Sequence, residues 1–148
     1  MNAMPRPWLV VANAARARVL EETDVPGCYL HVADLVHPTS RLQGRQLRSD
    51  RPGHVMRSGP GASSTAFAPR TQAHDREHHR FAQELAAVLH DGVGQGRCGG
   101  VTLVASDPFL GVLKAHLHTR VRQALLRTVS HDYTALRDDE LALRLGLA

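Results

Sequence analysis

Two five-residue apolar runs constrain this chain more than any other feature. Residues 8–12 read WLVVA and residues 101–105 read VTLVA. Both are too short for a helix, and both contain β-branched side chains, so each reads as a buried strand. The rest of the chain has to supply what covers them. After Asn13 to Arg16, the stretch Ala17 to Glu22 alternates, with Val19 apolar and Arg18 and Glu21 polar. Two strands with a short link make a hairpin. A turn at Asp24 to Gly27 follows, with Pro and Gly in favoured turn positions. Tyr29 to His37 alternates again, Leu30 and Val32 sharing one face, and Pro38 ends it. The first quarter of the chain therefore reads as a three-stranded antiparallel meander.

Helical spacing appears later. Thr71 reads as an N-cap, and Phe81, Leu85, Val88 and Leu89 give a core-facing stripe that stops at Asp91-Gly92. Past the second buried strand, Asp107-Pro108 supplies an N-cap and a first-turn proline. Leu110, Leu113, Leu117, Val121 and Ala124 then form a second stripe. Thr128 to Tyr133 reads as a last strand, and Asp138 or Asp139 caps a helix carrying Leu141 and Leu145. The order β-β-β-α-β-α-β-α predicts an α/β fold in one domain, a mixed five-stranded sheet with helices packed on it.

Between meander and helix lies a basic stretch, residues 41–70, rich in Gly, Pro and Ser. Gly53, Gly59, Pro60 and Gly61 argue against regular structure across its middle, and it is expected to be a long flexible loop. The whole chain has a net charge of +4 and a pI near 9.8. Almost all of its positive charge is arginine, a side chain suited to bidentate phosphate contacts. Cys28 and Cys98 stand far apart in sequence and predict reduced thiols rather than a disulfide framework. No apolar run is long enough for a signal h-region or a membrane span, which predicts a cytoplasmic protein without membrane contact.

Three groupings carry chemical potential. Ser106-Asp107-Pro108 follows a buried strand and opens a helix, where ligands of open α/β sheets collect. His74 and His78 share a helix face at i, i+4, with Asp75 and His79 beside them. That spacing suits a metal clamp, but no third ligand is evident, and no metal or cofactor is expected. Lys114, His118 and Arg122 form a ladder on the second helix that would track a phosphate backbone. There is no Walker A loop, no G-x-S-x-G and no G-x-G-x-x-G. The first strand also lacks the carboxylate a two-metal nuclease needs.

The opening WLVVANAARARVLEE, HPTSR at His37 to Arg41, SDRPGH at Ser49 to His54, EHHRFAQELAAVL and VTLVASDPFLGVLKAHL are similar to a known family. In these segments the chain resembles the host attachment proteins, or proteins required for attachment to host cells. That family is similar in turn to the central domain of archaeal and eukaryotic peptide-chain release factors, an RNase H-like fold. The resemblance implies a partner in RNA or the ribosome. The Gly-Gly-Gln of release factors is missing from residues 41–71, so peptidyl-tRNA or ester hydrolysis is only the alternative. A protein-interaction role linked to attachment is another. The leading expectation is a non-catalytic binding module using Arg41, Arg45, Arg48, Asp50 and Arg51, with Lys114 and Arg122. Homodimerisation is left open.

Overall fold

The computed structural model describes residues 4–37 and 60–147, and the side chains from residue 75 onward within its long helix. Three strands come first: β1 (Trp8–Ala12), β2 (Arg16–Glu22) and β3 (Tyr29–Val36). They pair antiparallel in sequence order, as the alternation predicted. Gly27, at φ +84°, makes the turn into β3 in a conformation that favours glycine. A bulge interrupts β2–β3: Val19 opposes Ala33 and Leu20 opposes His31, so Val32 has no opposite number. The simple alternation expected along β3 breaks there.

β4 (Val101–Ala105) lies parallel to β1, residue for residue, from Trp8 opposite Val101 to Ala12 opposite Ala105. β5 (Leu125–Val129) adds in parallel outside β4, giving the order β3-β2-β1-β4-β5. Strands covered on both faces read as unbroken apolar runs. That is why β1 and β4, at the centre, are the two runs that stood out. Every residue of both is buried.

Helices cover the sheet on both faces. On one side Trp8, Val10, Val19 and Leu103 meet α1 (Pro60–Gly94) through Phe81, Leu85 and Leu89. They also meet α2 (Phe109–His116) and α3 (Thr119–Gln123) through Leu110, Leu113 and Val121. On the other side Leu9, Val11, Leu20 and Val104 meet Leu141 of α4 (Asp138–Arg144) and Leu145 just past it. The mixed five-stranded α/β sheet expected from sequence is thus the one observed.

Several boundaries differ from expectation. α1 starts at Pro60, not near Thr71, and runs through Pro69. The Gly, Pro and Ser residues that argued for a loop to residue 70 are poor helix formers by themselves, but tertiary context overrides such propensities. α1 also passes Gly92 and ends at Gly94. At Gly92 a Cβ would overlap the Trp8 indole, so glycine is required for the close approach of helix to strand. The second stripe is not one helix. α2 stops at His116 and α3 begins at Thr119, with Leu117 extended between them. Asp107 does not cap α2: Pro108 occupies the N-cap position, with no side-chain cap. β5 begins at Leu125, three residues before the expected start, and Tyr133 lies outside it, stacked on His131. At α4 the N-cap position belongs to Arg137, whose N–H donates to Glu140 Oε1 at 3.0 Å. Among the described residues no helix is long and apolar enough to cross a membrane.

Candidate functional site

β1 and β4 end level with each other, and the residues that follow them, Asn13 and Ser106, face a shared crevice. Ligands of open α/β sheets gather outside the carboxyl ends of such strands. The crevice has a volume of about 310 Å³ and is lined by Asn13, Ala14, Ala15, Ser106, Asp107, Pro108 and Phe109, with His78 of α1 as the far wall.

Asn13 builds the near wall. Its Oδ1 accepts from the N–H groups of Ala15 and Arg16 at 2.8 and 2.9 Å, folding the β1–β2 link into a tight turn. Its Nδ2 donates to Asp132 Oδ2 and to Thr134 Oγ1, both at 3.1 Å. Thr134 in turn donates to Asp132 Oδ1, from its backbone at 3.0 Å and its hydroxyl at 2.6 Å. Burial pushes the Asp132 carboxyl up, but the hydrogen bonds from Thr134 and Asn13, with the charge of Arg16, outweigh it and hold the group below its ordinary 3.8. Arg16 and Arg18 donate to the Thr134 carbonyl, and Arg18 also to that of Leu136 at 2.8 Å. These bonds pin the segment after β5 across the end of the sheet. Asp107 is tied in more loosely, accepting from Ser130 at 3.4 Å.

The crevice also lies beside the contact between His37 and Glu77, which flank residues 38–76. Backbone N–H of His37 donates to the Ala15 carbonyl at 2.8 Å, beside the near wall. The buried His37 ring packs on Phe81, and its Nε2 lies 3.1 Å from the Glu77 carbonyl oxygen and 3.3 Å from Glu77 Oε2. Forty positions separate the two residues. Residues 38–76, between them, hold seven arginines against two carboxylates, while the rest of the chain holds eleven basic against twelve acidic side chains. The net positive charge of the protein therefore belongs to this excursion, and the residues that flank it meet next to His78.

Of the residues singled out from sequence, Arg41, Arg45, Arg48, Asp50 and Arg51 lie outside the described residues. So does the side chain of His74. His78 lines the crevice. Lys114 sits on α2 and Arg122 on α3, so the expected ladder is split by the break at Leu117. Arg122 turns its guanidinium onto the end of α2, donating to the carbonyls of Lys114 at 2.9 Å and Leu117 at 3.1 Å. Among the described residues no three His, Cys, Asp or Glu side chains gather as metal ligands. Both cysteines are free, Cys28 exposed and Cys98 buried.

Sequence reasoning missed Asn13, Asp132, Thr134 and His37. The first three meet across more than a hundred positions, a distance no local pattern spans. His37 carried a signal, as a histidine at the end of a strand where the basic stretch begins.

No curated protein matches the chain. The sequence profile of one family, described as "Protein required for attachment to host cells", matches residues 8–145, from the first residue of β1 to the last core leucine after α4. The chain belongs to that family.

Proposed function

We propose that this family member is a binding module without chemistry of its own, which takes RNA or an RNA-bearing assembly of the translation machinery through its arginine-rich excursion. The observation that carries the reading is the charge division: seven arginines and two carboxylates fall in residues 38–76, and the remainder is close to neutral. An arginine-rich segment favours phosphate, which guanidinium groups bind in bidentate fashion. His37 and Glu77, which flank the segment, are in contact beside the crevice, whose lining includes Ala15 and His78. The kinship to release factors implied by the sequence points to the same class of partner, and such a partner puts the protein in the cytoplasm.

Filter binding to single-stranded RNA over a salt series tests the reading. If Arg45, Arg48 and Arg51 each neutralise one phosphate, log K falls against log salt with a slope of about −2. Changing all three to Ala is expected to weaken capture at least tenfold with an unchanged melting temperature. Capture from lysate of a single protein partner, insensitive to nuclease and with no RNA retained at low salt, would overturn the RNA reading in favour of a protein-interaction role.

A further inference from the structure

The break between α2 and α3 places two histidines on either side of Leu117, and each meets a histidine of α1. His118 stacks on His90 with ring centroids 3.9 Å apart. His116 does something different. Its Nε2 lies 2.6 Å from Nδ1 of His79, with the rings edge-on at 81°. Two ring nitrogens on neighbouring helices thus converge on one point, His79 exposed and His116 half-buried. Neither belongs to the crevice or to the arginine-rich excursion.

From this convergence we infer that His79 and His116 form a two-histidine site for a late first-row divalent cation, bridging α1 and α2. Neutral imidazole is a favoured ligand of Zn²⁺, Ni²⁺ and Cu²⁺, and Cu²⁺ binds such nitrogens most tightly. With metal–nitrogen bonds of about 2.05 Å and tetrahedral angles, two ligating nitrogens stand about 3.3 Å apart. The observed pair has to open by only about 0.7 Å to admit the ion, within the reach of side-chain rotation at a surface. Aimed at each other as they are, the two nitrogens hold at most one proton between them. When the ion binds, the ring that donated carries its hydrogen on its other nitrogen, so both ligate as neutral imidazoles and no proton is lost. Water completes the coordination. Asp75 precedes His79 by four residues, on the same helix face, and adds a negative charge near the cation. Because the two ligands come from different helices, the ion would tie α1 to α2 and raise thermal stability by mass action.

The test uses the full chain stripped with chelator, then titrated with Cu²⁺ and with Zn²⁺. The expected result is one ion per chain and a rise in melting temperature of several degrees. Both are lost in His79→Ala and in His116→Ala, and both are kept in His90→Ala, which removes only the stacked pair. Circular dichroism of each variant before metal addition reports the fold separately. An ion bound with undiminished affinity by the double variant His79→Ala, His116→Ala overturns the site. So does a wild-type protein that takes up neither metal at a hundred micromolar.

Discussion

At the scale of single residues, Asn13 organises the most. Its amide uses two acceptor and two donor positions at once, joining the turn after β1 to the segment after β5. Truncation to Ala releases two backbone N–H groups and unties Asp132 and Thr134. Ala15 and Arg16 are exposed, so water takes up their N–H groups, and the cost is that of ordinary hydrogen bonds, about 0.5–1.5 kcal/mol each. Asn13→Ala is therefore expected to lower the melting temperature by several degrees without changing the denaturant m-value, which urea unfolding reads directly. Asp132 gives a second prediction, with a definite sign. Its folded pKa lies below 3.8, so its contribution to stability is present above that value and is lost as pH falls through the depressed one. Asp132→Asn should be less stable than wild type at pH 7, and the gap should close as pH falls through the depressed value. A gap that widens on acidification would mean the carboxylate is not held by its neighbours in this way.

Elements show where sequence is informative and where it stops. The first four strands were legible because burial on both faces or alternation on one writes itself directly into residue order, as in WLVVA, while β5 is largely exposed and carries neither pattern. Phe81, Leu85 and Leu89 marked the buried half of α1 for the same reason. The start of that helix was not legible, since residues 59–69 contain Gly59, Pro60, Gly61, Ser63, Ser64 and Pro69. The break at Leu117 was hidden by the apolar spacing itself, which continues in step through Leu113, Leu117 and Val121, all buried. What separates α2 from α3 is backbone at two residues, Leu117 and His118, extended at ψ 136° and 155°, and the Arg122 guanidinium that collects the carbonyls freed there. The site was less legible than the fold, because His37–Glu77, Asn13–Asp132 and His79–His116 each join different elements. Gly92 offers the sharpest test at this scale. In an exposed helix Gly→Ala gains about 1 kcal/mol. Here the added methyl must displace a fully buried indole, and overpacking of that kind costs about 1–3 kcal/mol. Gly92→Ala should therefore destabilise, and pairing it with Trp8→Phe should recover part of the loss in a double-mutant cycle.

For the molecule as a whole, charge and architecture are divided. Outside residues 38–76 the chain is nearly neutral, and the excess of arginine over carboxylate lies within them, between His37 and Glu77, which are in contact. His37 is 3% exposed and touches Phe81, so His37→Ala opens a cavity in the main core as well as removing the contact with Glu77. We expect a loss of about 2–4 kcal/mol, judged from other large-to-alanine core changes. Glu77→Gln keeps the volume and the backbone contact and should cost less than half as much. Calorimetric melts of the two variants side by side check the ordering.

The clasp between His37 and Glu77 also bears on how such a chain can diverge. His37 and Glu77 lie a hydrogen bond apart, so the core closes the chain here whatever the number of residues between β3 and α1. Doubling a closed loop costs only about 0.6 kcal/mol. Length between β3 and α1 can therefore change at little cost, as a lens is changed in a fixed mount, while β1, β4 and α1 stay as they are. Relatives should therefore keep His37, Glu77 and Phe81 even where the number of residues between β3 and α1 differs.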